Sequence, residues 1–263
     1  MTEFFDSTSP TGVIGACWYI KPDRFLTLSD RFTKQSIGSG FVKRCYVSMK
    51  ESSFKQDNKA ASAENWLVGE GHFLDISAYA LACDSLPDDL PLYLVFNDTL
   101  FTKHPWRLIS KRLAGIRDSI ASFPAPAASA EVHPTTDLLI IDSHNPARHH
   151  LSTFCLLLNN GGFKIFQRLL NELPSSSSSE VVKDWIDTRL VVYPSLSALL
   201  HVHLYGPRTP WSWKQNAPAL LQRKAVTVIF EYELTVKLLA AGIGVPFNRD
   251  LGYRLFSRLG RYG

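Results

Sequence analysis

The chain has 263 residues, 45 % hydrophobic and 20 % charged, a globular composition that excludes disorder and suffices to bury a full core. The net charge of +4 is mild, and basic residues cluster only at the extreme C-terminus, which argues against nucleic acid as a partner. Cys17, Cys45, Cys83 and Cys155 stand far apart with no CxxC pair, so zinc ribbons and redox dithiols are excluded and reduced core thiols are expected. Apolar runs rich in β-branched or aromatic residues then alternate with segments of helical period, which predicts α/β layering. Val13 to Ile20 reads as the first strand, and Asp23 to Phe32 as a helix with Pro22 near its start. Cys45 to Met49 is a second strand, Glu51 to Glu64 a polar loop, and Trp66 to Gly69 a short third strand. Asp75 can cap a helix whose Ile76, Tyr79, Ala80 and Cys83 share one face.

Leu92 to Phe96 is the clearest buried strand, and it ends abruptly in Asn97-Asp98-Thr99. The next helix carries Ile109, Leu113, Ile116 and Ile120 at spacings of four, three and four. Pro124 to Ala130 reads as a Pro/Ala linker, Leu138 to Ile141 and Leu151 to Leu158 as strands, and Phe163, Phe166, Leu170 and Leu173 as one helix face. Ser175 to Ser179 reads as a surface loop, Leu190 to Tyr193 as a strand, and Ser195 as the start of a helix. An aromatic loop from Tyr205 to Trp213 follows, then a strand-to-helix unit over Ala225 to Ala241 stopped by Gly242. The expected organisation is one domain over residues 1–248, with a mostly parallel central sheet flanked by helices, and a basic tail over 249–263.

In open α/β sheets ligands gather at the carboxyl ends of the strands. Asp98 follows a fully apolar strand, where a carboxylate is costly to bury alone, so it meets solvent, a cation or a metal, or it caps a turn. Three stretches carry a resemblance: Trp66-Leu67-Val68-Gly69-Glu70-Gly71, Asp75-Ile76-Ser77-Ala78-Tyr79, and Phe96-Asn97-Asp98-Thr99-Leu100-Phe101. With Leu151-Ser152-Thr153-Phe154 running to Asn159 and Glu231-Tyr232-Glu233-Leu234 ending in Gly242, they resemble the GT-A-type glycosyltransferase-like proteins of bacterial surface-polysaccharide synthesis, including rhamnan-synthesis relatives. The resemblance spans most of the chain, roughly from Gly12 to Val245.

That resemblance implies a Rossmann-like GT-A domain and transfer of a sugar from a nucleotide-sugar donor to a surface-polysaccharide or lipid-linked glycan acceptor. It implies a divalent cation, Mn²⁺ or Mg²⁺, held by Asp98 and neutralising the departing diphosphate. It implies donor contacts from Glu51, Asp75, Ser77, Asn97, Thr99, Lys103 and His104. Glu231 falls at the base that deprotonates the acceptor, with Glu233 one step away; at the first turn of a helix the dipole would keep such a base ionised. Three departures stand out. Asn97-Asp98-Thr99 has one carboxylate where the usual motif has two, Phe230-Glu231 replaces a Glu-Asp pair, and Met49-Lys50-Glu51-Ser52 lacks the aspartate often found after the second strand.

Other signals point elsewhere. Leu74 stands where the third glycine of a dinucleotide fingerprint would be, which rules against NAD. Asp142, His144, His149 and His150 fit no standard metal spacing and read as a solvated loop. Lys103 to Arg107 either contacts phosphate or forms an ordinary helix entry, and Trp211 and Trp213 read as packing residues. In the tail, Arg254, Arg258 and Arg261 alternate with Leu251, Leu255 and Leu259, so the segment either lies on an anionic membrane or is a solvated terminus. The polar N-terminus with Glu3 and Asp6 is unlike a signal peptide, and no apolar run reaches the ~18 residues of a spanning helix. A cytoplasmic protein, peripheral to the inner membrane face if the tail binds there, is expected. A non-catalytic scaffold that kept the fold, and an unrelated nucleotide-binding α/β enzyme, are the competing functions.

Overall fold

The computed structural model describes residues 10–40, 42–48, 66–69, 72–134, 149–194, 196–205 and 217–246. They form a mixed α/β structure around a seven-stranded sheet. The strands are β1 (Thr11–Cys17), β2 (Val42–Ser48), β3 (Trp66–Val68), β4 (Leu92–Asn97), β5 (Ala127–Pro134), β6 (His149–Asn159) and β7 (Ile243–Pro246), in the spatial order β3-β2-β1-β4-β6-β5-β7. β6 pairs antiparallel with both of its neighbours, while every other pair is parallel. The expected mostly parallel sheet flanked by helices is therefore what the chain forms.

Both faces of the sheet are covered, which is why β1 and β4 read as continuous apolar runs rather than alternating ones. Val13, Cys17, Leu94 and Phe96 point to a layer made by α1 (Pro22–Ile37), α3 (Thr99–Lys103) and α4 (Trp106–Ala121). Ile14, Ala16, Tyr93 and Val95 point the other way. That second layer contains α2 (Asp75–Cys83), α5 (Asn160–Asn171), α6 (Ser179–Val192), α7 (Leu196–Tyr205) and α8 (Pro218–Ala241).

Four readings of the second half need correcting. Pro124 to Ala130 is no linker: β5 begins at Ala127, and Ala127, Ala128 and Ala130 are fully buried between β6 and β7. Alanine has little strand propensity, so nothing in the local pattern announced it. The slot is narrow: a Cβ at Gly242 would lie 1.7 Å from the Pro126 carbonyl oxygen, to which the Ile243 amide donates at 2.9 Å. Leu190 to Tyr193 is not a strand but the last turn of α6, whose Val191 and Val192 are exposed. Ala225 to Ala241 is not strand-to-helix but part of α8, a helix buried nearly all round over Ala225 to Thr235, where periodicity loses its signal. Ser178 and Ser179 belong to a helix start: the Ser178 hydroxyl accepts from the Val181 amide as N-cap of α6. Residues 51–64, Leu138 to Ile141, the loop from Gly206 to Trp213 and the basic tail lie outside the described residues. Among the described residues, no helix is long and apolar enough to cross a membrane.

Candidate active site at the carboxyl edge of the sheet

The chain runs outward from β1 through β2 to β3 and then crosses back to place β4 on the other side of β1. Such a reversal opens a crevice at the carboxyl ends of β1 and β4. Asp98 stands there, directly after β4 and only 1 % exposed. Its Oδ2 accepts the backbone N–H groups of Trp18 (2.8 Å), Tyr19 and Ile20 (3.0 Å), and its own amide donates to Ala16 at 3.0 Å. Three successive amides ahead of a helix make an anion-binding nest, and here the anion is the protein's own carboxylate. Tyr19, pinned through its backbone, leaves its ring 65 % exposed, with the Lys103 Nζ 5.7 Å from the ring centroid.

Asn97 faces the opposite layer. Its Oδ1 accepts the Thr99 amide at 3.0 Å, and its Nδ2 donates to Asp75 Oδ2. Asp75 was expected to cap α2 but is instead its first residue, behind Leu74. Leu74 has φ +57°, the one positive value at a non-glycine among the described residues, a conformation that costs on the order of 1–3 kcal/mol. The turn it makes lets Asp75 meet Asn97, and the Phe73 amide closes the turn by donating to Ser77 Oγ at 2.7 Å. Ser77, read as a donor contact, thus has its hydroxyl engaged in the turn. Burial pushes the Asp75 carboxyl above the usual range; Glu231 adds to the rise, while Lys224 and the Asn97 bond oppose it.

Glu231 lies 7 % exposed in the middle of α8. Its Oε1 accepts both the amide and the hydroxyl of Thr153, each at 2.9 Å. The first-turn dipole expected to hold this carboxylate does not apply, because α8 begins at Pro218, more than three turns earlier. Thr153 reaches Glu231 because β6 changes register: Ala130 faces Leu156 whereas Val132 faces Leu151, so the strand swells between them. Bulges of this kind re-aim side chains beside functional sites. The Thr153 carbonyl accepts the Tyr79 hydroxyl at 2.9 Å, and Tyr79 also interacts with Asn97. A polar chain thus runs from Asp75 through Asn97, Tyr79 and Thr153 to Glu231. It is pinned from below where Leu151 N donates to Thr235 Oγ1 (2.9 Å), which donates to the Glu231 carbonyl (2.7 Å).

The remaining candidates fall outside this chain. Glu233 is two residues, about 200° of helix, from Glu231. It faces α6, where Arg189 Nε lies 3.7 Å from its Oε1 and the guanidinium stacks 4.0 Å over Trp185. Burial raises its carboxyl above the ordinary range, with Arg189 and Lys237 pulling it back. Glu233 therefore stands on a different face of α8 from Glu231. His104 stacks 3.7 Å from Phe154, with Nδ1 3.3 Å from Glu131 Oε2. Glu51, Asp142 and His144 lie outside the described residues, and His149 and His150 sit in β6.

Sequence reasoning assigned no role to Tyr79, Thr153 or Lys224. Lys224 precedes Glu231 by seven residues, two helical turns, and that spacing was the available signal. The described residues do not fit a resident divalent cation. Asp98 is enclosed and its Oδ2 taken by three amides, and no group of three His, Cys, Asp or Glu side chains among them converges on a point.

No protein-family model matches the chain, and no curated protein does. Among solved structures, it is similar to the 4-diphosphocytidyl-2C-methyl-D-erythritol synthase of Anaerococcus prevotii, at 12 % identity and TM-score 0.36 over 66 % of this chain and 80 % of that one. So loose a likeness decides neither activity nor substrate.

Proposed function

We propose that this chain is a glycosyltransferase that moves a sugar from a nucleotide-sugar donor to a surface-polysaccharide or lipid-linked glycan acceptor. The observation that carries the reading is Glu231, a buried carboxylate gripped by Thr153 and linked by polar side chains to Asp75 at the carboxyl edge of the sheet. Buried ionisable groups in a strand-end crevice, one of them pushed away from its ordinary titration range, are what acid–base chemistry requires. In this reading the donor lies across the ends of β1 and β4, beside Tyr19, Asn97 and Lys103.

The acceptor hydroxyl loses its proton to Glu231 as its oxygen bonds to the anomeric carbon. The bond from that carbon to the diphosphate oxygen breaks, and its electron pair leaves with the nucleoside diphosphate. Thr153, by filling one carboxylate oxygen with two hydrogen bonds, fixes the orientation of the base. Asn97 holds Asp75 and the start of α3 in register.

Release of nucleoside diphosphate from UDP-, GDP-, CDP- and dTDP-sugars tests this directly. One donor class is expected to turn over in the wild type, and Glu231→Gln to lower turnover about 10²-fold or more with donor affinity retained. Equal turnover in the two proteins would remove Glu231 from the chemistry. Donor binding without turnover in either would identify a scaffold that binds nucleotide sugars.

A further inference from the structure

A departing nucleoside diphosphate carries negative charge that something must neutralise, and the family resemblance implies a divalent cation on Asp98 for the task. The geometry gives Asp98 a different one. Its Oδ2 gathers three backbone amides from Trp18 to Ile20, its residue is 1 % exposed, and its amide is spent on Ala16. A carboxylate so enclosed shapes the loop between β1 and α1. No second and third ligand stand beside it among the described residues.

Two ammonium groups flank this edge instead. Lys103 ends α3, is exposed, and sits 5.7 Å over the Tyr19 ring on the loop that Asp98 holds. Lys224 lies on the face of α8 that carries Glu231, two turns away, and interacts electrostatically with Asp75. A lysine offers a compact charge and three donors, well suited to phosphate oxygens. We propose that Lys103 and Lys224 hold the donor's diphosphate and that nucleotide binding needs no divalent cation. This rests on the reading of the chain as a nucleotide-sugar transferase.

Calorimetric titration of the full chain with UDP, GDP, CDP, dTDP and inorganic pyrophosphate, in EDTA and again in Mn²⁺, tests it. One nucleoside diphosphate is expected to bind in EDTA within about threefold of its affinity in Mn²⁺. Lys224→Ala and Lys103→Ala should each weaken that binding in EDTA by about 10- to 100-fold, the weight of a charge-assisted contact, and Lys224→Arg should restore part of it. Asp98→Asn should lower the melting temperature equally with and without Mn²⁺. Binding that appears only with Mn²⁺ and vanishes in Asp98→Asn would overturn the proposal while leaving the transferase reading intact. Unchanged affinity in Lys224→Ala would overturn it too, and absence of binding under both conditions would sink the proposal and the transferase reading together.

Discussion

Phe96 and Asn97 are neighbours in β4, yet they open onto two differently built halves of the molecule. On the side of α1 and α4, Phe96 meets Phe32 at 5.3 Å and 75°, Phe25 meets Phe101 at 5.8 Å and 72°, and Phe101 meets Trp106 at 6.0 Å and 80°. These are edge-to-face contacts between uncharged rings, each worth about 0.5–1.5 kcal/mol beyond the area it buries. On the side of α2 and α8, at the same depth, stand Asp75, Asn97, Tyr79, Thr153 and Glu231. Buried ionised groups gain little net stability even when well paired, and apolar replacements often do as well or better. Beside Phe96 the packing is aromatic, whereas beside Asn97 a polar network stands within that layer's own apolar core and supplies the groups that the proposed transfer would use.

The contrast breaks most visibly if its apolar half is cut. Phe96→Ala should cost about 3–5 kcal/mol of unfolding free energy, a fall in melting temperature on the order of 10 °C. A loss under 1 kcal/mol in urea unfolding would contradict the role given to the rings. On the polar side, Thr153→Val removes the hydroxyl bond to Glu231 but keeps the amide bond. It should cost about 1–3 kcal/mol, less than the ring, with Thr153→Ser restoring stability in the same urea series. A neutral Thr153→Val would mean that the Thr153 hydroxyl contributes nothing to holding Glu231.

The smallest effect runs in the opposite direction. The Asp75 carboxyl titrates above its ordinary range in the folded chain, so the folded state binds its proton more tightly than the unfolded state does. Stability from this group is fully present below the unfolded value, about 4, and is lost as the pH rises through the folded value. Asp75→Asn escapes that loss. Its melting temperature should exceed that of the wild type at pH 7, by a margin that closes as the pH falls below about 4. A margin that widens in acid would invert the assignment.

Much of this could be read from the chain, and the failures have physical causes. β1 and β4 were legible because strands covered on both faces are written as unbroken apolar runs, and β2 and β6 through their apolar stretches from Cys45 and from Leu151. β5 was not, because the residues that fill its narrow slot are alanines with no pattern of their own. α8 was misread for the converse reason: its middle is buried in every direction, so no helical period shows. At the site, Asp98 stood out as a carboxylate behind an apolar strand and Asp75 as a helix cap, while Asn97 and Glu231 were singled out through the family resemblance. What they do was hidden. The amides on Asp98 come from residues about eighty positions earlier, and the grip on Glu231 depends on a register change in β6 that no local pattern records. The parting of Glu231 and Glu233 needed only the helical turn, and was obscured by reading a strand ahead of it.

The melting temperature of the full chain with UDP, GDP, CDP and dTDP and their sugars tests the central claim most directly. At about 100 times its dissociation constant, one nucleotide should stabilise the chain by about 2.7 kcal/mol, a rise of roughly 5 to 10 °C for a protein of this size. No shift with any nucleotide or nucleotide sugar would contradict the account of this edge as a nucleotide-sugar site.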